Sequence, residues 1–277
     1  MPVDIPFHKM HGIGNDFVVI SAADFACIAP DSQSDAVRRL CDRHFGIGAD
    51  GVLTFEPVEQ GLTFCIYNAD GSRDTMCGNG LRCVVALLAG DARIPVTGIA
   101  KTDSGDVRYC YHSADRISLE LPSPNFFHGP INVDGYCFEI IDTGSPHAVT
   151  LLTGQTGPDD SVFKDISRGI ESHLDFPSGI SANWVWKAAD GSLHLRTWER
   201  GVGETLGCGT GACAAGVAYL TENPGAGNVA LTSTGGTLSV AWAGGAADTI
   251  HLTGPATHVL SGVIPITNIA DATLTGV

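Results

Sequence analysis

Positive charge is scarce in this 277-residue chain: 15 Lys and Arg stand against 30 Asp and Glu, for a formal net charge of −15. Such a surface repels nucleic acid and anionic membranes, so neither is expected as a partner, whereas a small zwitterion is unaffected. No apolar run approaches the ~20 residues that cross a bilayer as a helix. The opening Met1-Pro2-Val3-Asp4 lacks a basic stretch followed by a hydrophobic one, so the expected location is the cytoplasm. Neither Cys-x-x-Cys nor His-Glu-x-x-His occurs, which argues against a structural metal and against a thiol-disulfide oxidoreductase. The cysteines number nine, an odd count in a chain long enough for two cores, and a disulfide framework is not expected.

What the chain does have is Cys-Gly-x-Gly, twice: Cys77-Gly78-Asn79-Gly80 and Cys208-Gly209-Thr210-Gly211. Each opens a small-residue run that reads as the start of a helix. A thiol at a helix N-terminus faces backbone N–H groups and the positive end of the macrodipole, which favour its thiolate. The same N–H groups can hold a carboxylate. Two such thiols on one carbon could remove a proton from one face and return it to the other, which is racemase or epimerase chemistry.

The duplication extends beyond the tetrapeptides. Asn68 lies nine residues before Cys77 and Glu199 nine before Cys208, each followed by a glycine-rich turn. Cys208 follows Cys77 by 131 residues, and Ser145 of Gly144-Ser145-Pro146-His147 follows Asn15 of Gly14-Asn15-Asp16-Phe17 by 130. Two motif pairs at nearly one offset predict two homologous halves. We place them at 1–122 and 123–263, with 264–277 returning to the first half or trailing as a tail, and the active site is expected between them.

Runs rich in β-branched and aromatic residues predict strands at 7–10, 17–20, 51–55, 62–67, 107–111 and 117–121 in the first half. A helix is predicted over 35–43 with Ser34 as N-cap, and the first Cys-led helix stops at Gly90. Pro122-Ser123-Pro124 reads as a linker. Beyond it come strands at 136–142, 148–152, 182–187 and 193–198, a helix near 165–172, the helix 208–221, and a closing meander at 229–233, 237–242 and 249–252.

Most cysteines behave as small buried hydrophobes, and Cys83 and Cys213 are assigned to packing. Cys77 and Cys208 differ because each stands before a helix, beside glycines, as one of a matched pair. Asn15, Asn68 and Asn183 are either turn and strand-end residues or substrate contacts. Glu199-Arg200 is either a surface ion pair or part of the site, where Arg suits bidentate carboxylate binding. His11, His44 and His147 are expected to support structure, since the cysteine pair already supplies acid and base.

These residues resemble a known family. Gly12-Ile13-Gly14-Asn15-Asp16-Phe17, Phe45-Gly46-Ile47-Gly48-Ala49-Asp50-Gly51, Asn68-Ala69-Asp70-Gly71-Ser72, Met76-Cys77-Gly78-Asn79-Gly80-Leu81-Arg82-Cys83 and the run from Trp198 to Cys213 are similar to the motifs of diaminopimelate epimerases. The resemblance implies an α/β (α+β) fold of two pseudo-symmetric halves, each a sheet wrapped around a central helix, and catalysis without pyridoxal phosphate or metal. It implies Cys77 and Cys208 as the two bases, and Gly78, Asn79, Gly209 and Thr210 presenting N–H groups to the α-carboxylate. Asn15, Asn68, Asn183, Glu199 and Arg200 would recognise the rest of a small amino-acid substrate, LL-2,6-diaminopimelate, Arg200 taking its distal carboxylate. Ser145 stands where the family commonly has Asn, Arg73-Asp74-Thr75 replaces a usually acidic run, and Gly207 replaces a common Ala. Ser145 keeps open a racemase of another amino acid, such as histidine, and a homodimer is the one protein partner left open.

Overall fold

Alternation of apolar and polar residues dominates outside the helices, and in the computed structural model, which describes residues 4–267, it becomes strands paired into extensive β-sheet. Contacts divide the chain into one unit ending at Leu119 and resuming at Pro255, and a second unit from Glu120 to Gly254.

In the first unit, β1 (Asp4–Gly12) and β2 (Asn15–Ser21) form an antiparallel hairpin. Its two-residue turn places Ile13 and Gly14 at φ 48° and 87°, the left-handed pairing that suits a tight hairpin. Helices α1 (Ala22–Phe25) and α2 (Gln33–Cys41) carry the chain over to β3 (Gly51–Val58), which runs parallel to β2. The apolar face of α2, Ala36, Val37, Leu40 and Cys41, packs with Phe25, Ile28 and Val52 into one core. β4 (Gly61–Asn68) returns antiparallel to β3, and β5 (Arg73–Asp74) turns back on its end. Helix α3 (Gly78–Gly90) crosses to β6 (Thr97–Thr102), parallel to β4, and β7 (Gly105–Ser113) and β8 (Arg116–Leu121) follow. Apolar on nearly every side, α3 is buried, with β1, β2, β3 and β7 around it.

The second unit repeats this order. After β9 (Ile131–Val133) and β10 (Tyr136–Asp142), strand β11 (Pro146–Leu152) crosses by α4 (Asp160–Glu171) to a parallel β12 (Ser181–Lys187). β13 (Leu193–Glu199) and the short β14 (Gly203–Thr205) lead into α5 (Gly209–Glu222). β15 (Asn228–Ser233), parallel to β13, then begins the meander with β16 (Gly236–Ala241) and β17 (Ile250–Gly254). Trp184 anchors the core, edge-on to Tyr136, Phe138 and Phe163, with its indole N–H donating to Ser167 Oγ at 3.0 Å. The registers match as well: Phe17 opposite Gly51 corresponds to His147 opposite Ser181, and Leu53 opposite Ile66 to Asn183 opposite Thr197.

The last described strand corrects the expected boundary. β18 (Thr257–Pro265) pairs antiparallel with β1, Asp4 opposite Pro265, so the chain rejoins the first unit at Pro255 rather than at 264. It fills beside β1 the place that β9 fills beside β10. The pairing satisfies a sheet edge otherwise left open, and Ile264 and Ile266 pack against the first core. Residues 268–277 of the expected 264–277 segment lie outside the described residues. The other boundary falls at Leu119, ahead of the Pro122-Ser123-Pro124 linker. Strand β6 escaped the sequence pattern because Ala100 alone of its six residues is buried.

Candidate active site

Both cysteines are helix N-caps. Cys77 (φ −140°, ψ 115°) and Cys208 (φ −112°, ψ 124°) have extended backbones, and each sulfur accepts the N–H of the glycine three residues on, Gly80 or Gly211, at 3.4 Å. A thiol here occupies the place of a capping Ser or Asp. The glycines also let the helices approach the sheet: a β-carbon on Gly80 would stand 2.9 Å from Leu53, and one on Gly211 2.5 Å from Asn183 Oδ1.

Around Cys77, side chains form a chain of contacts. Buried Arg82, one turn into α3, donates to Asn79 Oδ1 at 2.7 Å, and Asn79 Nδ2 donates to Asn15 Oδ1 at 3.3 Å. The Cys77 thiol donates to that same Asn15 oxygen at 3.8 Å. Asn15 Nδ2 in turn donates to Asp50 Oδ2 at 2.8 Å. Asp50 and Asp16 are both gripped by Arg43, and Lys9 donates to Asp16 at 2.5 Å. Burial works against the Asp16 carboxylate, but hydrogen bonds from Arg43 and Lys9 outweigh it and hold its pKa well below the usual range. Asn68, at the end of β4, donates instead to Ser72 Oγ at 3.1 Å.

Cys208 is only 7% exposed. Burial, and next the Glu199 carboxylate beside it, push its thiol well above the ordinary value, against the opposing effect of Thr210 and the Gly211 N–H. The helix terminus alone was expected to favour a thiolate; desolvation and Glu199 reverse that balance here. Glu199 also accepts from Thr205 Oγ1 at 2.5 Å. Thr210 Oγ1 stands 3.4 Å from Cys208 Sγ, 2.9 Å from His147 Nε2 and 3.4 Å from Ser145 Oγ.

His147 is fully buried, and desolvation, with Arg200 adding to it, lowers its pKa to about 3, so its ring is neutral. Asn183 Nδ2 donates to the Ala148 carbonyl and to His147 Nδ1 at 3.0 Å, which puts the ring proton on Nε2, facing Thr210 and Ser145. Asn183 Oδ1 accepts from Thr197 at 3.0 Å. Where the sequence reading expected Asn183 to meet substrate, its amide lies wholly buried beneath α5, committed to His147, Ala148 and Thr197. Arg200 is exposed; it lies over Gly179 and donates to the Ser178 carbonyl at 3.1 Å.

The structure thus gathers Asn15, Gly78 and Asn79 about Cys77, and Glu199, Gly209, Thr210 and Asn183 about Cys208. The supports differ. Under α5 they are polar, His147, Asn183 and Thr197, where the first unit has Phe17, Leu53 and Ile66; in the first unit the polar support is Arg82 within the helix, where the second has Cys213. Sequence reasoning assigned no role to Arg82 or Asp50. The signal for Arg82 was a lone charge inside an otherwise apolar helix. Among the described residues no three His, Cys, Asp or Glu side chains are grouped to hold a metal ion, and no helix is long and apolar enough to cross a membrane.

The chain is similar to known proteins over nearly its whole length. The family model described as diaminopimelate epimerase matches residues 7–119 and 139–259. A diaminopimelate epimerase of Acinetobacter baumannii (strain AYE) is 34% identical, the alignment covering 93% of this chain and 96% of the relative. One from Thioalkalivibrio sulfidiphilus is 36% identical over 95% and 99%. Among solved structures, the Bacillus anthracis phenazine biosynthesis protein of the PhzF family superposes with a TM-score of 0.73 at 13% identity, covering 95% of this chain and 99% of that one, a likeness of fold alone.

Proposed function

Because the chain belongs to the diaminopimelate epimerase family, we propose that it converts LL-2,6-diaminopimelate to the meso isomer in the cytoplasm, with Cys77 and Cys208 as the two bases. The observation that carries this reading is the matched pair of cysteine N-caps, one in each unit, at the same point of the repeated fold. One thiolate takes the α-proton from one face of the carbon, and the other cysteine gives its S–H proton to the opposite face. The configuration inverts, and the two cysteines end with thiol and thiolate exchanged.

An α-proton flanked by a carboxylate is weakly acidic, so the carbanion needs preorganised donors. The first backbone N–H groups of α3 and α5, at Gly78, Asn79, Gly209 and Thr210, are the groups suited to the α-carboxylate, and their field strengthens as water is excluded. Glu199, against the Cys208 thiol, is placed to receive that proton when Cys208 becomes the base. Asn15, Asn68 and Arg200 serve the remaining substrate groups, Arg200 the distal carboxylate, while Asn183 contributes through His147 and Thr210. The partner this chemistry requires is a small amino acid.

Incubation with LL-diaminopimelate in deuterated water, with NMR of the α-proton and chiral separation of the product, tests the reading. Solvent deuterium should enter the α-position as the meso isomer accumulates. An α-proton that stays unexchanged would reject it.

A further inference from the structure

We propose that Asp50 is a positioning residue: it fixes the orientation of the Asn15 amide, and through it holds the Cys77 proton in place. The proposal rests on the two-thiol reading, and it names what holds the proton of one of those thiols.

The argument turns on hydrogen-bond polarity. Arg82 can only donate, so the atom of Asn79 that it meets at 2.7 Å must be the oxygen. That turns the Asn79 NH₂ toward Asn15. At the other end, the Asp50 carboxylate can only accept, so the Asn15 atom 2.8 Å from it must be nitrogen. Both ends therefore require the same orientation of Asn15, with Oδ1 toward Asn79 and Cys77. Rotating the Asn15 amide by half a turn would set oxygen against carboxylate and NH₂ against NH₂. An acceptor 3.8 Å away holds the Cys77 proton and works against the Gly80 N–H, which at 3.4 Å from the same sulfur favours the thiolate.

Asp50 is itself held. Its Oδ1 takes the Arg43 guanidinium at 2.8 Å and its Oδ2 also takes the Asp16 backbone N–H at 3.1 Å, while the Asp50 N–H donates to Asp16 Oδ1 at 3.2 Å. Charged and titratable groups about Cys77 include Lys9 and Asp16 on the β1–β2 hairpin, Arg43 and Asp50 on the segment before β3, and Arg82 and the buried Cys83 thiol on α3; the His11 ring nitrogen Nδ1 accepts from Gly14 N–H. Asp50 is the one whose carboxylate meets the Asn15 amide.

Alkylation by iodoacetamide, followed at Cys77 and Cys208 separately by peptide mapping across pH, tests this. The full-length protein without substrate is used, so the readout is independent of turnover. Asp50→Ala lets the Asn15 amide turn its NH₂ toward sulfur, and the Cys77 alkylation midpoint should fall by on the order of one pH unit, roughly a tenfold faster reaction at fixed pH below the midpoint. Cys208 should keep its profile. A change in access alone would scale the rate at every pH and leave the midpoint in place. Asp50→Asn removes the charge but keeps an oxygen where Asn15 and the Asp16 N–H both point, so its midpoint should stay near wild type. Asn15→Ala keeps every charge and removes only the acceptor, and it should reproduce the Asp50→Ala shift even if that variant folds poorly. Equal shifts in Asp50→Ala and Asp50→Asn, or an unmoved Cys77 midpoint in Asn15→Ala, would overturn the proposal. Deuterium exchange on wild type separately decides the epimerase reading.

Discussion

Gly211 rests directly on the Asn183 amide, so that a β-carbon there would stand 2.5 Å from Asn183 Oδ1. The same amide holds His147 through Nδ2 and Thr197 through Oδ1, so the third residue of the Cys-Gly-x-Gly motif is tied to the polar support of Cys208. Gly211→Ala must push α5 off the sheet or break those bonds, at a cost of about 1–3 kcal/mol. Gly80→Ala meets only the flexible end of Leu53 at 2.9 Å and should cost less. Urea denaturation of the two variants should rank them in that order; equal losses would mean that Asn183 yields as easily as a leucine methyl.

Cys77→Ala and Cys208→Ala should each abolish epimerisation, because each thiol serves one face of the carbon. Each also removes an N-cap, at about 0.5–2 kcal/mol of stability, too little to unfold a typical domain. Ser in either place should keep the cap but supply a far weaker base. Turnover near wild type in either Ala variant, with folding verified by circular dichroism, would remove the two-base assignment.

The folded state lowers the His147 pKa from 6.5 to about 3, so on unfolding the ring binds a proton that the native protein excludes. Its contribution is therefore whole above about pH 6.5 and is lost as pH falls toward 3, at up to about 1.4 kcal/mol per pH unit. The carboxylate of Asp16, also depressed, adds its loss lower, as pH falls past its ordinary value of 3.8. Between about pH 6 and 5 the stability of wild type should fall more steeply than that of His147→Gln. Parallel slopes in urea titrations would show that the ring can take up a proton in place.

Arg200→Lys keeps the charge but loses the planar fork, and if Arg200 takes the distal carboxylate, kcat/KM on LL-diaminopimelate should fall roughly ten- to a hundredfold. Single-headed amino acids should be poor substrates of wild type. Faster racemisation of histidine than of diaminopimelate would make Ser145, which meets His147 Nε2 at 3.0 Å, the better guide to specificity.

The sequence by itself determined that the chain repeats, that two cysteines begin equivalent helices, and which chemistry a pair of such thiols is suited to. These are local facts: a cap, its glycines and a strand's alternation are written within a few residues. Only the tertiary structure decided that β18 returns to pair with β1, since Asp4 and Pro265 meet across nearly the whole chain and β18 is mostly exposed. It likewise decided that Asn183 is buried, that His147 is neutral, that burial and Glu199 raise the Cys208 thiol, and that Arg82 and Asp50 bracket Asn15. Each of these depends on what surrounds a side chain in space, and desolvation and hydrogen-bond polarity are sums over neighbours that the order of residues along one strand does not contain.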